Sequence, residues 1–195
     1  MEFRYVIQHL YLVGMSCLFT TIIGLLLGVC VYFFKPARSI VLWVVDILQT
    51  IPVLALLGII MLIFGGTSTT VIIGIVLYSL LPIVRNTYVG LENIDPSIKE
   101  AARGMGMTSF QRLYKIELPL AFPMIFTGIR IAVVTSIGTA VFGAVVGGGG
   151  LGSTINRAIL IQDMSTLLQA TLTLMVMAIL FDSAMGYIEK RLKTR

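Results

Sequence analysis

One charge in this chain stands where a charge is expensive. Arg130 lies inside an apolar run, eleven residues after Pro119 and so about 16 Å along a helix. A guanidinium near the middle of a bilayer must face a cavity or a partner. Asp46 and Asp182 are the nearest candidate acids, although each falls close to one end of its own apolar run. Two readings stay open. Arg130 is either half of an ion pair inside a bundle, or it lines a pathway where it would repel a cation and meet a carboxylate. Gly147, Gly149 and Gly152 fit G-x-G-x-x-G, but no strand precedes them and no βαβ unit surrounds them, which excludes a dinucleotide site. The consecutive Gly147, Gly148, Gly149 and Gly150 read instead as a flexible turn, or as unwound helix at a gate or close helix contact. Irregular backbone at membrane depth is tolerated where protein or a cavity surrounds it. His9 has no second histidine nearby to complete a metal site and reads as an interface residue. Cys17 and Cys30 stand about 20 Å apart on one helix, too far to bridge, and read as packing residues. No glycine loop is followed by the Lys and Ser/Thr of a nucleotide-binding Walker A sequence, and no nucleophile–base pair is evident.

The elements that must position these groups are membrane spans. The chain is 57% hydrophobic and 12% charged, with a mean hydropathy of +1.00, against about 25% charged residues in a soluble domain. Apolar runs of the roughly 20 residues needed to cross a bilayer fall at 9–34, 40–64, 70–89, 120–146 and 167–187. The fold class is therefore all-α: one polytopic domain over 1–195 with five transmembrane helices. Gly14, Gly24 and Gly28 would let another helix approach the first span. Pro52 predicts a kink in the second. The first run is too long for a cleaved signal peptide, and no small-residue cleavage site follows it. Eleven of the 14 Lys and Arg residues lie on one side of this layout, in the loop at 35–38, around the insert at 91–118 and in the tail. By the positive-inside rule that side is cytoplasmic, which puts the N-terminus outside and the C-terminus in the cytoplasm. This clustering at span ends also explains the net charge of +5 and argues against nucleic acid.

The polar insert is the odd segment in this lipid-embedded chain. Asp95 and Pro96 look like the N-cap and first residue of a helix. Ala101 and Ala102 would leave a bare face, and Gly104 and Gly106 would end the helix or permit a left-handed turn. A second short helix follows, with Phe110, Leu113, Tyr114 and Leu118 at helical spacing, and Pro119 is expected to stop it and to begin the fourth span. The predicted result is two short helices across the cytoplasmic face.

Glu100, Ala101, Ala102, Gly106, Ile116, Leu118 and Pro119 fill every position of E-A-A, three residues, G, nine residues, I, one residue, L-P. This resembles the EAA motif of the inner-membrane permease subunits of ABC importers. The resemblance implies a type I importer fold like that of the methionine permeases. It implies that Glu100, Ala101, Ala102, Gly104, Gly106, Ile116, Leu118 and Pro119 form a coupling element seated in a groove of a cytoplasmic ATPase. Two such ATPase subunits, a second permease subunit (the same or different) and an extracellular substrate-binding protein are the implied partners, along with the lipid bilayer. ATP and Mg²⁺ would sit on the ATPase, and this chain would be non-catalytic, with no cofactor of its own.

Three longer stretches, at 48–59, 77–107 and 145–152, resemble the branch that imports glycine betaine, carnitine, choline and related osmoprotectants. The methionine permeases are the alternative within the family. Quaternary ammonium ions are held in aromatic cages. The aromatics here, such as Trp43, Tyr78, Phe126, Phe142 and Tyr187, are scattered and read as packing and interface anchors. A stand-alone secondary transporter would show inverted repeats or intramembrane acid relays, and neither is evident.

Overall fold

The computed structural model describes residues 3–193, and every element in it is helical. In chain order these are α1 (Phe3–Phe33), α2 (Lys35–Thr50), α3 (Val53–Phe64), α4 (Ser68–Tyr78) and α5 (Leu80–Glu92). The insert supplies α6 (Pro96–Gly104), α7 (Ser109–Arg112) and a π-helical turn (Leu113–Glu117). Then come α8 (Leu118–Thr139), a 3₁₀ segment (Ala140–Val146), α9 (Leu151–Leu160) and α10 (Met164–Lys193).

Four runs are long and apolar enough to cross a membrane: Phe3–Phe33, Ser68–Glu92, Ser109–Val146 and Met164–Leu192. The stretch expected as a fifth span, 40–64, falls on the bent pair α2–α3, whose two helices are long and apolar enough only together. The kink expected at Pro52 is a break, with the two helices turned by 101°. Proline supplies no N–H, and Ile51 before it is extended at ψ 129°. The third span is interrupted once, at Ser79, whose hydroxyl lies 3.2 Å from that of Ser136.

Close helix packing is set by small residues. A Cβ at Gly24 would meet the Ile83 side chain at 2.8 Å, and one at Gly28 would meet that of Thr87 at 2.5 Å, so the glycine face of α1 takes up the side chains of α5. On the other flank of α5, a Cβ at Gly128 of α8 would stand 2.6 Å from the Pro82 carbonyl. Inside a membrane such close approach supplies the van der Waals contact that holds helices together. Gly14 differs from expectation: nothing lies within 4 Å of its Cβ position. Helix α5 is thus clamped between α1 and α8.

Two cores result. One, at the end opposite the insert, gathers Leu12, Leu57, Ile75, Ile137 and Leu151. The other gathers Leu91, Ile94, Leu113, Ala121 and Ile125 at the insert end. His9 belongs to the first region rather than to an interface. It is fully buried, and its Nε2–H donates to the Ile137 carbonyl at 3.1 Å.

Candidate functional site

The insert is a built element. The Asp95 carboxylate accepts the Ser97 N–H at 2.8 Å, as a helix N-cap should. That backbone hydrogen bond holds the carboxyl below the usual aspartate range. Pro96 follows at the first helical position. Lys99 then ties α6 back to the membrane helices. Its Nζ donates to the Leu91 carbonyl at 2.8 Å, at the open C-terminal end of α5, and lies 5.2 Å from the centre of the Tyr32 ring of α1. A cation there suits the negative end of the helix dipole.

Gly106 takes a left-handed turn at φ +78°, which only glycine adopts without strain. Thr108 and Gln111 then form a reciprocal capping box: the Gln111 N–H donates to Thr108 Oγ1 at 3.2 Å, and the Thr108 N–H donates to Gln111 Oε1 at 2.9 Å.

The second short helix does not stop at Pro119. It runs through the π turn into α8, so the end of the insert and the fourth span are one continuous helical run from Ser109 to Val146. The π turn explains why the proline is tolerated. The Leu118 N–H reaches back five residues to the Leu113 carbonyl, and Pro119 comes next with no N–H to place.

Glu100, Ala101, Gly104 and Gly106 are exposed, while Ala102 is fully buried. Successive helical residues point about 100° apart, so the two alanines cannot share one bare face. Ile116 and Leu118 are half-buried and Pro119 is exposed. Three residues the motif does not name are exposed as well: Met105, Phe110 and Tyr114, at 68%, 75% and 68%. These large apolar groups stand bare beside the charged residues of the insert. Met105 hides between two glycines in the sequence, where nothing singles it out.

Arg130 is paired. Its Nε and Nη2 donate to both carboxylate oxygens of Asp182 at 2.8 and 2.9 Å, and Nη1 donates to Glu189 at 2.8 Å. Thr127 Oγ1 donates to the other Glu189 oxygen at 2.7 Å. Of the two acids considered from sequence, Asp182 is the partner, whereas Asp46 pairs with Arg85 at 2.9 Å. Glu189 was hidden in a charged tail that continues α10 down to Lys193. The cluster pins α8 to α10 and leaves Arg130 no donor nitrogen uncommitted.

The glycine stretch is a stapled turn. Gly147, Gly149 and Gly150 all have φ between +71° and +81°. Gln8 holds it from α1, accepting the Gly150 N–H at 3.0 Å and donating to the Gly148 carbonyl at 3.4 Å. A Cβ at Gly152 would lie 2.0 Å from the Val141 carbonyl. The connection expected after this stretch contains a further helix, α9.

The family described as binding-protein-dependent transport system inner membrane component matches residues 20–194. The carnitine transport permease protein OpuCD of Listeria monocytogenes is 41% identical over 186 residues, covering 95% of this chain and 83% of that protein. The glycine betaine/carnitine/choline transport system permease protein OpuCD of Bacillus subtilis is 39% identical, covering 95% and 81%. Among solved structures, an inward-facing conformation of the MetNI methionine ABC transporter superimposes with a TM-score of 0.87 at 26% identity, covering 97% of this chain and 94% of that one.

Proposed function

This chain belongs to the family of binding-protein-dependent transport system inner membrane components, and from that premise we propose how it works. It is the transmembrane permease subunit of an ATP-driven importer for quaternary ammonium osmoprotectants such as carnitine, glycine betaine and choline. The observation that carries the substrate class is the 41% identity, over 95% of the chain, to a carnitine permease. The methionine alternative is supported by a structural neighbour at 26% identity.

The chain acts with a second permease subunit, two cytoplasmic ATPase subunits that hold ATP and Mg²⁺, and an extracellular substrate-binding protein. The insert faces the cytoplasm, where the bulk of the basic residues lie. Glu100, Ala101, Gly104, Met105, Phe110 and Tyr114 form the docking surface. Closure of the ATPases moves this surface. Lys99 carries the movement to α5, and the glycine contacts of α5 carry it to α1 and α8. The continuous rod beyond Ser109 carries it directly into the fourth span. The glycine turn at 147–150 lies at the far end of that rod and serves as a gate or close helix contact near the extracellular mouth. Arg130 is a structural clamp in this scheme, because binding a substrate carboxylate would break its bonds to Asp182 and Glu189. Substrate affinity resides in the binding protein.

The test is reconstitution of the chain with its ATPase and binding protein in liposomes. Saturable, ATP-dependent uptake of labelled carnitine, glycine betaine or choline, and not of methionine, is expected. Uptake by this chain alone without ATP would refute the proposal. A cysteine at Met105 should cross-link to the ATPase, and failure to do so would remove the docking surface.

A further inference from the structure

The π turn between the docking segment and α8 is spanned by a buried ion pair. Arg112 Nε donates to Glu117 Oε1 at 2.6 Å. The Glu117 side chain is 0% exposed and that of Arg112 is 9% exposed. These residues are five apart. In an α-helix, positions five apart point about 140° away from each other, and side chains meet at spacings of three or four. A π turn closes from residue i to i+5 and stacks such a pair on one face. The i to i+5 spacing of the pair thus suits the π turn and not an α turn. If the turn relaxed to α geometry with the same residues, everything before it would rotate by about 100° and advance by about 1.5 Å relative to α8. Phe110 would then no longer point where it does.

A buried ion pair is a weak source of stability, and its best-attested use is to fix register. Leu113, packed in the insert-end core, is the apolar anchor of the same turn. Pro119 favours the π turn too, since an α turn would set its ring against the Lys115 carbonyl.

We propose that Arg112 and Glu117 are positioning residues for energy coupling: their buried pair holds the π turn and thereby sets the rotational register between the docking surface and the fourth span. The functional half of this inference rests on the docking role proposed above, and the geometric half does not.

The experiment separates the two. Arg112→Met with Glu117→Leu removes the pair without leaving a buried charge, and Glu117→Gln keeps an acceptor for Arg112. Spin labels on Ser109→Cys and Met124→Cys, with Cys17 and Cys30 replaced by alanine, report the register in the purified permease. A label about 5 Å off the helix axis moves by up to roughly 8 Å on a 100° rotation. The double variant is expected to shift the distance by several Å, and Glu117→Gln to leave it within about 2 Å of the parent. An unchanged distance in the double variant overturns the inference, whatever the docking surface does. In the assembled transporter without labels, substrate moved per ATP hydrolysed should fall at least tenfold in the double variant and stay within about threefold of wild type in Glu117→Gln. A shifted distance with unchanged transport per ATP overturns the coupling role.

Discussion

Alanine at Gly28 and at Gly14 is one chemical change on one helix, and the structure assigns the two positions opposite outcomes. Both substitutions gain the same intrinsic helix propensity, about 1 kcal/mol, so their difference isolates packing. At Gly14 the new methyl meets nothing within 4 Å. At Gly28 it would stand 2.5 Å from Thr87 Cβ and 3.1 Å from the Val84 carbonyl, where ordinary contact begins at 3.4 Å. Thr87 Cβ is fixed to its backbone, so α1 and α5 must separate by nearly 1 Å. Overpacking of this kind costs about 1–3 kcal/mol. Gly28→Ala should therefore be less stable than Gly14→Ala by about that amount. The measurement is the unfolding midpoint of each variant in the same detergent, with Thr87→Gly added to Gly28→Ala as the relief variant. Equal midpoints for the two alanines, or no recovery on adding Thr87→Gly, would refute the reading that this seam sets the α1–α5 distance.

Arg130→Gln should loosen α10 from α8 and leave Asp182 facing Glu189, lowering thermal stability. The triple change with Asp182→Asn and Glu189→Gln should recover much of that loss, since no uncompensated charge remains; a triple variant no better than the single would argue against the clamp. Asp95 has a folded pKa below its unfolded value of about 3.9, so its capping contribution is present above that range and is lost as the pH falls through the folded value. Amide exchange at Ser97 should speed up relative to its intrinsic rate over that acid window, and Asp95→Asn should abolish this pH dependence. Gly152→Ala places a methyl 2.0 Å from a backbone carbonyl that cannot turn aside, so it should lower the unfolding midpoint more than Gly104→Ala, which has open space.

The insert was legible as a helix start at Asp95–Pro96 and a glycine turn because capping and backbone conformation depend on residues only a few positions apart. Spans were legible because hydropathy is a sum over a window. Glu117 was not, since a lone acid between Ile116 and Leu118 looks like surface until the turn that buries it is known. Nor was Glu189, which meets Arg130 across 59 residues of sequence.

What the sequence determined by itself was the solvent of this protein, its helical class and the polar loop on its basic side. Each of these follows from local composition and from the cost of placing charge and backbone polar groups in hydrocarbon. What only the tertiary structure decided was facing and register. It chose which of two adjacent alanines is bare, which acid neutralises Arg130, and whether the helix ends at Pro119 or passes through it. Those outcomes depend on which side chains from distant segments come within an ångström or two of each other, and spacing along one chain carries no record of that.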